Sequence, residues 1–145
     1  MRMRLAVPLA ALLAACGDSL APDSVVAVRI ASPMTMPSHG INGPGTEPIR
    51  ITSTWTVMVA ASGSAWVRVA AVRTRLTETG SGSVRLVDTF PATDILPGRE
   101  VTLDQVSAAS FPSRLYPGHW VGVTTVELLH ASGTKEELTA SFSFP

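Results

Sequence analysis

From Val25 onward the chain is written in alternating apolar and polar positions. In "IRITSTWTVMVAA", Ile51, Ser53, Trp55, Val57 and Val59 fall on one side and Thr52, Thr54, Thr56 and Met58 on the other. A period of two in β-branched and aromatic residues predicts a half-buried strand with Trp55 in the core. "VVAVRIA" places Val26, Val28 and Ile30 on one face in the same way. Further strands are predicted over "AWVRVAAVRTRLTET", "SVRLVDTF", "REVTLDQV", "HWVGVTTVELLH" and "EELTASFSF", the last with Phe142 and Phe144 on one face. Turn signals separate them: Ser62-Gly63-Ser64, Gly80-Ser81-Gly82, Pro97-Gly98, Pro117-Gly118 and Ser132-Gly133-Thr134.

Seven such segments with no helical period between them predict an all-β domain over residues 25–145. Seven short strands within roughly 100 residues is the spacing of an Ig-like antiparallel β-sandwich; a closed barrel is the alternative. "LPGREVTL" and "YPGHWVGVTTVELLHASGTKEEL" resemble the strands of Ig-like and fibronectin-type domains of bacterial surface proteins. In those domains a Pro-Gly turn leads into an aromatic-headed strand, and a Gly hairpin returns to the final one. The cysteine pair of antibody domains is missing, so the resemblance is to the cysteine-free branches. "SPMTMPSHGINGPGTEP", Ser32 to Pro48, breaks the spacing, and its prolines and glycines exclude a helix or a central strand. It reads as an irregular extension of the first strand along the sandwich edge, with Met34 and Met36; a functional loop is the alternative.

The first residues follow a different pattern. Arg2 and Arg4 precede the apolar run Leu5–Leu13, and small residues Ala14 and Ala15 precede Cys16. That is the three-part layout of a secretory signal. The run contains Pro8 and falls short of the about 20 apolar residues that span a bilayer. Leu13-Ala14-Ala15-Cys16 resembles the lipobox of bacterial lipoproteins. The resemblance implies cleavage between Ala15 and Cys16 of a signal helix over residues 1–15, and diacylglyceryl and fatty acyl groups such as palmitate on Cys16. Residues 16–24 then form a lipidated tether. Two or more acyl chains anchor a protein stably where one holds it only marginally. Gly17 separates Cys16 from Asp18, so the pattern lacks the Asp directly after the cysteine that resembles an inner-membrane retention signal. The expected address is therefore the cell envelope, at the outer membrane.

Composition narrows the function further. Cys16 is the sole cysteine, so the exported domain has no disulfide and depends on its core. Without Arg2 and Arg4 the chain carries nine basic against eleven acidic side chains, which lacks the basic footprint of nucleic-acid binding. The histidines His39, His119 and His130 are loop or strand-end residues; the last two, eleven positions apart, would be about 36 Å apart on an unbroken strand. No metal site or cofactor is expected. "TGSGS" is a turn, being neither a phosphate loop nor a nucleophile elbow, and Asp88, Asp94, Asp104 and Glu127 read as scattered surface acids. Catalysis is not expected.

What remains are binding features. Trp66, Tyr116 and Trp120 sit at strand ends beside turns. Rings so placed either cap the core or offer stacking platforms for a glycan or small ligand. The strand from Trp120 has two apolar faces, Trp120, Gly122, Thr124, Val126 and Leu128 against Val121, Val123, Thr125, Glu127 and Leu129. It is either covered on both sides or exposes part of a partner patch. Arg73, Arg75 and Arg85 flank one hairpin; simple pairing would gather them on a solvated outer face, with Glu78 as partial counter-charge, the alternative being contact with an anionic envelope polymer or lipid headgroup. The functional expectation is a lipid-anchored, non-catalytic interaction module for an envelope protein, with glycan or small-ligand binding as the alternative.

Overall fold

A computed structural model of the chain describes residues 23–38, 49–111 and 119–145. It contains eight strands: β1 (Val25–Ser38), β2 (Ile49–Ser62), β3 (Val67–Glu78), β4 (Val84–Thr89), β5 (Thr93–Ile95), β6 (Glu100–Phe111), β7 (Trp120–His130) and β8 (Lys135–Ser143). They form two antiparallel sheets. The smaller has the order β1-β2-β6; the larger has the order β4-β3-β7-β8, with β5 also on β3. The chain changes sheet from β2 to β3, from β5 to β6 and from β6 to β7. Two separate sheets joined by these crossings make a β-sandwich rather than a closed barrel. The expected seven strands are present, and β5 is the addition.

The period of two explains the core. Trp55, Val57 and Val59 of β2 face Val67, Val69, Val72 and Leu76 of β3 and Val126 and Leu128 of β7, all essentially inaccessible to solvent. Trp55 meets the rings of Phe142 at 5.8 Å and Phe144 at 6.1 Å, the latter edge-on. Burying each such aliphatic chain stabilises the fold by about 1.5–3 kcal/mol. Thr74 and Thr124 lie opposite one another in this core and satisfy each other's hydroxyls at 2.7 Å.

Two irregularities set the phase of the strands. The extension of the first strand is present: β1 runs to Ser38 along the edge of the smaller sheet, where Pro33 and Pro37 leave no central ladder broken. Its register slips between Ala31 and Met34, and Ser32 takes a positive φ of 50° there. Residues 39–48 of the predicted Pro/Gly connection, with His39, lie outside the described residues. In β3 the register slips at Ala70, so inward parity passes from Val67 and Val69 to Val72, Thr74 and Leu76.

The sandwich has two ends. At one lie the start of the described chain and the turns β2–β3, β5–β6 and β7–β8, joined by bonds such as Gly98 N–H to Ala61 O and Ala131 N–H to Trp66 O. At the other lie the β3–β4 turn and the C-terminus, where Phe144 N–H donates to Trp120 O.

Candidate functional site

The outer face of the larger sheet is built by alternation on four strands. On β4, Val84, Leu86 and Asp88 point outward while Arg85, Val87 and Thr89 point toward the core. On β3, after its bulge, Arg73 and Arg75 are exposed and Thr77 is half-buried. On β7, Val121 and Val123 take the outward positions. Residues directly opposite in antiparallel strands project from the same face, so the register defines rows. Val84 pairs with Thr77 and Thr77 with Val121; Leu86 pairs with Arg75 and Arg75 with Val123.

These rows place two exposed apolar pairs, Val84 and Leu86 on β4 and Val121 and Val123 on β7, on either side of Thr77 and Arg75 of β3. Leu86 is 72% exposed, and Val84, Val121 and Val123 are each about two-fifths exposed, with Arg75 between them. Arg75 makes no ion pair among the described residues. The next row is polar: Asp88, Arg73 and Thr125, with Arg73 paired to Glu127. Phe90, two-thirds exposed, continues the outward positions of β4. Thus β7 is central in its sheet and still greasy on its solvent side, the exposed-patch alternative of the sequence reading.

The expected arginine cluster does not form. Arg73 and Arg75 share the outer face, but Arg85 pairs with Leu76 and turns inward. Its guanidinium crosses the open edge to donate to the Ala108 carbonyl of β6 and lies 5.9 Å from the Trp120 ring centre. Partial burial pushes its pKa below the usual arginine value. Glu78 does not lie on the outer face with Arg73 and Arg75. It is buried, and its carboxylate accepts from the Gly80 and Ser81 amides and the Ser81 hydroxyl, closing the β3–β4 turn.

The aromatic candidates are also dispersed. Trp66 heads β3 at the end where the described chain begins, 39% exposed, with the Arg68 guanidinium 5.9 Å from its ring centre. Trp120 heads β7 at the opposite end and is 4% exposed, part of the core cluster. Its platform role is thereby corrected: the ring caps the core, covered by Arg85. Tyr116 lies outside the described residues, as do Ala15 and Cys16 of the lipobox.

The acids have structural partners. Arg68 binds Asp94 at 2.6 Å, and Asp104 accepts from Thr56 at 2.9 Å. The hydrogen bond from Arg68 lowers the Asp94 pKa below the ordinary carboxylate value. His130 is buried, 2.8 Å from Glu136, while His119 is exposed. Among the described residues no group of three or more His, Cys, Asp or Glu converges. Val84, Leu86 and Phe90 were not singled out from the sequence; the available signal was a short strand with apolar residues of both parities.

The class defined by this architecture is an antiparallel β-sandwich held together without a disulfide. No protein-family model matches the chain, and no curated protein matches it in sequence. Among solved structures, it is similar to the X-ray structure of Northeast Structural Genomics Consortium target SoR45, with a TM-score of 0.61 and 13% identity, covering 82% of this chain and 85% of that one. It is also similar to a crystal structure from Bordetella pertussis carrying the provisional name ApaA, with a TM-score of 0.57 and 17% identity, covering 83% and 92%. At such identities the likeness is one of fold.

Proposed function

We propose that the chain is a lipid-anchored cell-envelope protein whose sandwich is a non-catalytic interaction module, docking another envelope protein on the outer face of its larger sheet. The carrying observation is the exposed surface of Val84, Leu86, Val121 and Val123 around Arg75. A clustered apolar patch with a polar border is what a partner covers, and the central guanidinium offers forked donors to a partner carboxylate. The anchor rests on the lipobox and its Cys16.

The test places a photocrosslinking residue at Leu86 in the full chain within intact envelopes, with Thr102 on the smaller sheet as control. A discrete adduct at Leu86, absent from Thr102 and lost with Arg75→Glu, is expected; matching patterns at both positions would overturn the docking face. Separately, Cys16→Ser is expected to leave an uncleaved precursor that takes up no labelled palmitate. Normal processing of that variant would remove the anchor.

The alternative, a glycan-binding module, draws on the exposed ring of Trp66. Its mark would be a change in Trp66 emission on titration with envelope glycans.

A further inference from the structure

We propose that the end of the sandwich bearing Trp66 and Leu96 rests on the lipid headgroup layer of the membrane that holds the anchor. This builds on the acylated Cys16 proposed above and adds a second, non-covalent contact. The first argument is where the described chain starts. Ser24 Oγ donates to the Ala65 carbonyl at 2.6 Å and accepts from the Ala65 amide, while Ser132 Oγ donates to the Asp23 carboxylate. The chain is therefore stapled between the β2–β3 and β7–β8 turns, beside Trp66. From Cys16 to Asp23 are seven residue steps, which reach at most about 25 Å when fully extended. The opposite end lies farther away by the length of β3, twelve residues or roughly 40 Å.

The second argument is what this end presents. β3 and β5 pair Val67 with Ile95, so the next positions outward are Trp66 and Leu96. Val67 and Ile95 are buried, whereas Trp66 and Leu96 turn to solvent, Leu96 being 62% exposed. Leu96 opens the Pro97-Gly98 turn, in which the Arg99 amide returns to the Leu96 carbonyl. Val25, 73% exposed, lines one shallow depression with Gly98 and Arg99 on the same end. An indole with neighbouring aliphatic side chains suits the boundary between acyl chains and headgroups. Arg99, exposed and in no ion pair among the described residues, is placed to meet lipid phosphates. Arg68 stays with Asp94 behind the Trp66 ring.

The experiment uses the mature full chain, purified from membranes in detergent and reconstituted into phosphatidylethanolamine/phosphatidylglycerol vesicles. Trp55 and Trp120 are 1% and 4% exposed, so a quencher in the lipid reports on Trp66. Adding phosphatidylcholine brominated high on its acyl chains is expected to lower tryptophan emission. The loss should disappear in Trp66→Phe and shrink in Leu96→Ser, which retains the reporter. Acrylamide should quench the vesicle-bound chain less than the chain in detergent. Flotation with the vesicles but no bromolipid quenching overturns the docking and leaves the anchor standing. Failure to float overturns the anchor and the docking together. Shielding from acrylamide that already rises with protein concentration in detergent assigns the surface to a second copy and overturns the lipid contact.

Discussion

At the scale of single residues, the most confined position is Gly122. It lies directly opposite Phe142 in the β7–β8 ladder, and a Cβ added there would fall 2.2 Å from the Phe142 ring. The ring occupies the space the glycine vacates and at the same time reaches Trp55 and Phe144. Gly122→Ala must therefore push Phe142 out of the three-ring cluster, an overpacking that costs about 1–3 kcal/mol. The expected result is a lower denaturant midpoint at unchanged slope, partly restored in Gly122→Ala/Phe142→Leu. A single variant as stable as the parent would show that the ring is not confined. Sequence alone reached only half of this. The core role of Trp55 follows from its parity with Ile51, Val57 and Val59. The role of Gly122 depends on which β8 residue faces it, and that is a matter of register.

At the scale of elements, register and bulges decide what composition cannot. The strand β5 is invisible to pattern reading because three residues between Pro91 and Pro97 are too few to display alternation. Arg85 turned inward because Val84 pairs with Thr77, and shifting that register by one residue would reverse the face of every β4 side chain. The bulge at Ala70 brings Arg68, Arg73 and Arg75 to one side despite the odd offset between the first two. On that side Arg68 holds Asp94 and ties the short β5 to β3. The hydrogen bond places the folded-state pKa of Asp94 below its unfolded value. Its contribution to stability is therefore present above the unfolded pKa and is lost as pH falls through the lowered folded value. In a carboxyl-carbon NMR titration Asp94 is expected to titrate below the usual range of about 3.9 and to move back up in Arg68→Ala. Identical titrations in the two proteins would mean that the pair does not persist in solution.

At the scale of the whole molecule, the sandwich is polarised along its strands. The described chain starts at the Trp66 end, while the apolar rows of Val84, Leu86, Val121 and Val123 lie toward the opposite end, beside the β3–β4 turn. A tether at the first end would hold the patch outward from the surface it is fastened to. The two apolar faces of β7 were legible from its sequence, but their joining with β4 was not, because β3 lies between those strands in the sheet. For the proposed docking face, that arrangement would also separate binding from folding. Leu86 sits directly opposite Arg75, so Leu86→Glu removes an exposed apolar side chain and sets a carboxylate against the guanidinium. Opposite charges across a strand pair contribute about 0.2–1 kcal/mol, and an exposed leucine contributes little to the core. The variant is thus expected to melt at or slightly above the parental temperature. It should nevertheless lose the partner adduct when the crosslinker is placed at Val123, because the patch has become polar and its central cation is neutralised. Leu86→Lys is its counterpart, losing the adduct while melting lower through like-charge repulsion with Arg75. If both variants retain the adduct, the partner does not use this face. If Leu86→Glu instead unfolds the domain, Leu86 belongs to the core and the rows described here are out of register.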